Sequence, residues 1–490
     1  MVVSNSIQVG LVPVRSKARS GTFHMNHQWE EVIPVYAGMY ARAAYPTHKA
    51  FYISCLFELD QPADGELLRK AWNQTVNVYP CLSWAVILRN GKYVMAENGL
   101  PFVIRETGEI IEPFEAAGNY HTTTICYKGN KLCFYIDHVP FDGTGIQFVL
   151  ETFFYYYFCL KDETEYPVPE GVLTEKDTPV EGLADDAYLA VDPISLQTPG
   201  GSRTAAGPET FIAPERRTDE ISLPLEGCAR FCISVPKEEM MGYTRRVYGT
   251  PMAVIAVLLA KAVEKAHPEN TLPVRIISPV SVRKVMGNVH SLQHQVVHTA
   301  YLFSADGLKA EGSNEKLIRD YRSHLKSFMA EQNIRIMCGL YSGIVQELMK
   351  AQQNGVLDLL IADQRKNAGT GIMASYLGIL RTGEYGKRIR MTAGHVMQEK
   401  ASCCRQWKSA VHSICAGIRD FRMIAMSARW RKNCSRRVCR ERGLNASDPG
   451  NAESVDIRQT EANEKSSFRI HRGHELFSFL SKSSCSQRSS

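Results

Sequence analysis

The chain has 490 residues, 44% of them hydrophobic and 22% charged, the composition of an ordinary globular protein with material for two or three domains. No run of eighteen or more apolar residues occurs, and Arg15, Lys17 and Arg19 follow rather than precede the mildly apolar start, so neither a membrane span nor a secretory signal is predicted. The formal charge of +6 is unevenly spread: residues 391–490 hold 18 basic and 9 acidic side chains, leaving 39 and 42 for the mildly acidic remainder, so any case for nucleic-acid binding rests on the tail alone.

Residues 1–27 lack periodicity and predict a flexible extension, and Gln28–Tyr45 suits a helix or loop leading inward. Phe51–Leu59 is rich in aromatic and β-branched residues and is bounded by prolines, which predicts a strand. Asp64–Val78 reads as a helix capped by Asp64, with Leu67, Leu68, Ala71, Trp72, Thr75 and Val76 on one apolar face. Strands are expected at Ser83–Leu88 and Lys92–Ala96 around the Asn90-Gly91 turn, and at His121–Tyr127 and Lys131–Asp137 around Lys128-Gly129-Asn130. Gly145–Leu160 then predicts a helix, whose Phe153, Phe154, Tyr155, Tyr156, Tyr157 and Phe158 read as a buried or interfacial surface.

Residues 166–226 are rich in Pro, Gly, Asp, Glu, Ser and Thr and predict a linker between one half at 28–165 and a second at 227–390. The second half opens with a strand at Ala229–Val235. Helices follow from Lys237 and from Thr250-Pro251, where threonine and proline are helix-start residues. Val274–Arg283 and Gln295–Phe303 predict strands, Glu315–Gln332 and Met337–Met349 helices, so a strand–helix–strand–strand plan recurs. From about Met391, Val, Ile and Leu become scarce and clusters such as Arg436-Arg437-Val438-Cys439-Arg440 appear. The tail reads either as a basic, disordered interaction segment or as a frameshift of the coding sequence near Arg390, the second being favoured. The fourteen cysteines are scattered singly, without C-x-x-C pairs, which points to buried thiols in a reducing cytoplasm rather than a disulfide framework.

Chemistry concentrates at Asp137-His138-Val139-Pro140-Phe141-Asp142-Gly143-Thr144. A predicted strand delivers His138, the side chain type that takes and returns a proton near neutral pH, and a predicted helix follows. The segment resembles the His-x-x-x-Asp-Gly motif of the chloramphenicol-acetyltransferase-like superfamily, which includes alcohol O-acetyltransferases, condensation domains of nonribosomal peptide synthetases and polyketide-associated acyltransferases. Pro279-Val280-Ser281-Val282-Arg283 resembles the Pro-Val-Asn-Leu-Arg segment of the alcohol-acetyltransferase-like branch, and Ser375-Tyr376-Leu377-Gly378 its Ser-Asn-Leu-Gly strand. The resemblance spans residues 28–390.

The resemblance implies an α/β fold of two lobes with an active-site tunnel between them, the second lobe incomplete if the tail is frameshifted. It implies an acyltransferase moving an acyl group from acyl-CoA, or from an acyl carrier protein, to a small-molecule alcohol or amine, with His138 as general base. No bound cofactor or metal is implied. Asp142 pairs with Arg283 to fix the loop, Gly143 allows close backbone approach, and Ser375 and Tyr376 border the tunnel, although Tyr376 departs from the family's asparagine and Asp137 from its frequent second histidine. The alternatives are a non-catalytic condensation-like binding protein and a truncated, inactive acyltransferase. His290, His294 and His298 have metal-ligand spacing for a helix, but the β-rich run from Gln295 predicts that the three do not share a face.

Overall fold

The structure is a computed structural model that describes residues 31–33, 52–89, 92–194 apart from 114 and 139, 210–211, 232–357, 359–360, 371–397, 413–414 and 420–424. The predicted N-terminal extension, the predicted 166–226 linker beyond residue 194 apart from 210–211, and most of the tail lie outside these residues. In the first half the elements run β1 (Glu31–Ile33), β2 (Tyr52–Leu59), α1 (Gly65–Val78), β3 (Trp84–Arg89), β4 (Lys92–Glu97), β5 (Ile104–Glu106), β6 (Thr123–Lys128), β7 (Lys131–Asp137) and α2 (Gly143–Lys161). The second half has β8 (Cys232–Pro236), α3 (Lys237–Arg246), α4 (Pro251–Ala266), β9 (Val274–Ser281), α5 (Arg283–Met286), β10 (Val296–Phe303), α6 (Ala305–Lys309), α7 (Asn314–Phe328), α8 (Glu331–Gln353), β11 (Ile372–Ala374), β12 (Ile389–Met397), β13 (Ser413–Ile414) and β14 (Asp420–Ile424).

A five-stranded sheet in the order β12-β2-β7-β6-β5 carries the first half. β2 lies between β12 and β7, and its side chains are largely buried on both faces of the sheet, which is why it reads as an apolar run rather than an alternating one. Against this sheet lie α1 and α2. α1 starts on Asp64, whose carboxylate accepts from the backbone N–H groups of Glu66 at 2.9 Å and Leu67 at 3.0 Å. α2 is apolar nearly all round, as a helix sunk in a core must be. Its Phe153 and Phe154 meet Phe134 and Phe57 edge to face at 5.0 and 4.8 Å between ring centroids, which fixes the helix over the middle of the sheet.

The second half is built on a sheet ordered β10-β9-β11-β13, with α4 and α7 packed in one core and α8 in another. β9 and β10 pair in register along their whole length, from Val274 opposite Phe303 to Ser281 opposite Val296. The helix predicted over Glu315–Gln332 ends at Phe328. Ala330 takes an extended ψ of 137°, and the Asn333 side chain donates to the Ser327 carbonyl at 2.9 Å, satisfying a helix end that no glycine or proline announces.

Three further differences concern the predicted boundaries. β12 crosses the Arg390/Met391 junction, pairing with β2 from Leu59 opposite Ile389 to Tyr52 opposite Met397, so strand structure persists seven residues into the compositional tail. Short strands recur at β13 and β14, which pair with β11 and β8. The Ser375–Gly378 segment, expected as a strand, lies beyond the end of β11 in irregular chain. No single helix among the described residues is long and apolar enough to cross a membrane. Cys55, Cys81, Cys126, Cys133 and Cys338 are buried free thiols.

Candidate active site at the His138 loop

β7 lies between β2 and β6 and ends at Asp137, whose backbone N–H donates to the Thr122 carbonyl at 2.8 Å. The rigid strand therefore delivers His138 at a fixed height above the sheet. Its Nδ1 is 2.7 Å from the Phe141 carbonyl oxygen. A carbonyl only accepts, so Nδ1 carries the hydrogen and, in the neutral ring, Nε2 carries the lone pair. Burial pushes the imidazole below its ordinary pKa, outweighing the opposing pull of the Phe141 carbonyl and the Asp142 charge. At neutral pH this ring is uncharged and basic at one defined nitrogen.

Asp142 is almost fully buried and uses both carboxylate oxygens. Oδ1 accepts from Arg283 at 2.7 Å and from the Gly145 N–H at 2.8 Å, capping α2. Oδ2 accepts from Arg283 at 2.8 Å and from the Gln295 N–H at 2.9 Å. Arg283, itself buried, also donates to the carbonyls of Ser291 and Gln293. Burial works to raise the carboxyl, but the guanidinium and the N–H donors outweigh it and hold Asp142 below the usual carboxylate range. A carboxylate engaged in this way is a clamp and not a proton donor.

The glycines divide their duties differently from the expectation. A Cβ on Gly143 would lie 2.2 Å from Leu377 Cδ2, a side chain that can turn away, whereas a Cβ on Gly145 would lie 2.3 Å from the Leu292 carbonyl oxygen. The close backbone approach is therefore at Gly145, two residues later than predicted. Through Leu377 the Ser375–Gly378 segment reaches the start of α2. Ser375 is half-buried, and Tyr376, also half-buried, packs against the core of the second half.

A second clamp was absent from the sequence reading. Glu151, fully buried in α2, pairs with Arg381 at 2.6 Å, accepts from the Arg381 N–H at 2.8 Å and from Gln147 at 2.9 Å. The Arg283 and Arg381 guanidinium groups lie 5.8 and 5.4 Å from the centre of the Phe148 ring, so α2 is gripped by two arginines with an aromatic ring between them. The signal was visible: Glu151 is the single acidic residue in an otherwise apolar helix.

The three spaced histidines do not share a face, as expected: His290 is exposed and His294 and His298 are half-buried. His298 lies in β10, and His294 precedes that strand in irregular chain. His294 lies 5.6 Å from His138, ring centre to ring centre. Among the described residues no set of three His, Cys, Asp or Glu side chains is placed to hold a metal ion.

No family model matches the sequence, and no curated protein matches it. Solved structures do. The F. graminearum TRI101 complexed with coenzyme A and T-2 mycotoxin matches with a TM-score of 0.53 at 9% identity, over 84% of this chain and 97% of that one. The epimerization domain from the third module of tyrocidine synthetase B matches at 0.51 and 13% identity, over 82% and 91%. The likeness is one of fold: the α/β architecture is shared with TRI101 and with the epimerization domain. F. graminearum TRI101 with coenzyme A and deoxynivalenol matches in the same way, with a TM-score of 0.51 at 11% identity over 84% and 97%.

Proposed function

We propose that the protein is an acyltransferase that moves an acyl group from coenzyme A, or from the equivalent thioester of a carrier protein, to a small-molecule alcohol or amine. The observation that carries this reading is His138, held as the Nδ1–H tautomer by the Phe141 carbonyl on a loop clamped through Asp142 and Arg283. Support comes from the fold shared with TRI101, whose structures contain coenzyme A together with T-2 mycotoxin or deoxynivalenol.

In this reading Nε2 of His138 takes the proton of the acceptor O–H or N–H. The acceptor atom forms its bond to the thioester carbonyl carbon, the C–S bond breaks, and the proton passes from His138 to the departing thiolate, giving an ester or amide and a free thiol. Positioned base catalysis of this kind contributes roughly 10²–10⁴-fold. Asp142, Arg283 and the glycines hold the loop, and Ser375 and Tyr376 border the path of the substrate.

The test is thiol release and acyl transfer from acyl-CoA, and in a second arm from an acyl carrier protein, across a panel of alcohols and amines. Wild type should transfer and His138→Ala should lose about 10²-fold or more. Equal rates in the two proteins would remove the enzymatic reading and leave a binding protein of the same fold.

A further inference from the structure

The segment running into β10 brings two more imidazoles to the His138 side of the second half. His294 Nδ1 is 3.4 Å from the Tyr188 hydroxyl, which donates to the Val296 carbonyl and accepts from the Val296 N–H at 3.2 Å. His298 Nδ1 is 2.8 Å from the Tyr341 hydroxyl, and the Tyr341 ring stacks on Tyr188 at 5.4 Å and 24°. Two imidazoles and two phenols thus form one polar layer, joined to the β10 backbone at Val296, with the His294 ring 5.6 Å from that of His138 at a tilt of 42°.

The loop does not need this layer to stay in place. Arg283 and the backbone donors of Gly145 and Gln295 already anchor it. What the layer changes is the surroundings of the His138 ring. The Phe141 carbonyl and the Asp142 carboxylate act on that ring from its own loop, and His138 in turn acts on His294 and His298 of the β10 segment. Arg283 pairs with Asp142, and its positive charge opposes the carboxylate's effect on His294. Burial pushes His294 down to about 3 and His298 to about 4, and in each case a charge on His138 pushes the same way. Coupled groups of this kind take up protons in order. Near neutral pH both neighbours are uncharged, so a proton arriving on His138 meets neutral rings.

We propose that His294 is a positioning residue of this site, flanking the His138 ring and stabilising the imidazolium that forms when His138 takes a proton. This rests on the reading of His138 as the base. An imidazolium withdrawn from water requires dipoles around it, and a neutral imidazole tied to a phenol supplies them where an apolar ring of the same size does not.

The experiment follows the His138 imidazole by NMR titration in the full chain, for wild type, His294→Phe and His294→Gln. Phenylalanine keeps the ring packing and removes the dipole, so the His138 midpoint should fall by about half a pH unit or more, with glutamine restoring most of it. In the transfer assay His294→Phe should lower kcat about tenfold with little change in KM for the thioester, the signature of a contact made as charge develops. An unchanged His138 midpoint in folded His294→Phe overturns the proposal. That readout needs no turnover, so it stays separate from the outcome for His138→Ala. If His294→Phe does not fold, His298→Phe takes its place, with a smaller shift in the same direction expected and an unchanged midpoint again overturning the idea.

Discussion

Asp142 and Arg283 stand 141 positions apart in the chain and meet in two parallel hydrogen bonds of 2.7 and 2.8 Å, both side chains all but sealed from solvent. Asp142→Ala strands a buried guanidinium and removes a helix cap, so stability should drop by about 3–5 kcal/mol in urea unfolding. Adding Arg283→Leu should recover part of that loss, because the uncompensated charge is then gone. A loss of activity in Asp142→Ala at unchanged stability would instead place Asp142 in the chemistry.

Gly143→Ala and Gly145→Ala should separate sharply. The first displaces the end of the Leu377 side chain and should cost under about 1 kcal/mol; the second drives a methyl into the Leu292 carbonyl and should cost about 1–3 kcal/mol. Thermal unfolding of the two variants side by side checks this, and equal effects would count against the geometry given for the head of α2.

Glu151→Gln and Arg381→Met address the second clamp. Glu151 has no solvent contact whereas the Arg381 side chain keeps a third of its exposure, so the two losses are unequal. Arg381→Met leaves a buried carboxylate with the Gln147 amide as its remaining side-chain donor and should destabilise by about 3 kcal/mol, more than Glu151→Gln, whose freed guanidinium can reach water. The ranking is read from unfolding midpoints.

Acid should weaken the fold well above the carboxylate range. His294 and His298 have folded values of about 3 and 4 against an ordinary 6.5, so the folded state binds fewer protons than the unfolded one. Their contribution is complete above pH 6.5 and is lost as pH falls from 6.5 towards 4 and then 3. Unfolding midpoints measured between pH 7 and pH 4.5 should decline, and His298→Phe should flatten the decline.

Local chemistry made the first half legible. Asp64 announced α1, the two runs on either side of Asn90-Gly91 the paired strands β3 and β4, and the run from Lys131 the strand that leads to His138. The Asp142–Arg283 pairing came from the family resemblance, since nothing in the spacing of two residues so distant reveals contact. That His290, His294 and His298 do not share a face was legible in the β-rich run from Gln295; the approach of His294 to His138 was not, because it joins residues 156 positions apart. Glu151 was legible as a lone charge among aromatics, but its partner was not, because Arg381 lies in irregular chain with no period to place it. β5 and β11 span three residues each, too few to print an alternation.

The order of synthesis gives the Asp142 clamp a further meaning. A nascent chain that has emerged only as far as the linker already contains the sheet strands β2, β6 and β7, the aromatic helix α2 and the histidine. It then holds a carboxylate at the head of that helix with no counterion, and the donors that quench it, Arg283 and the Gln295 N–H, have yet to be made. The loop therefore matures after the second half has folded. Fragments ending before residue 283 lack β12 as well as Arg283, so β2 becomes a sheet edge, and Asp142 should return to water with a carboxyl titrating in the ordinary range.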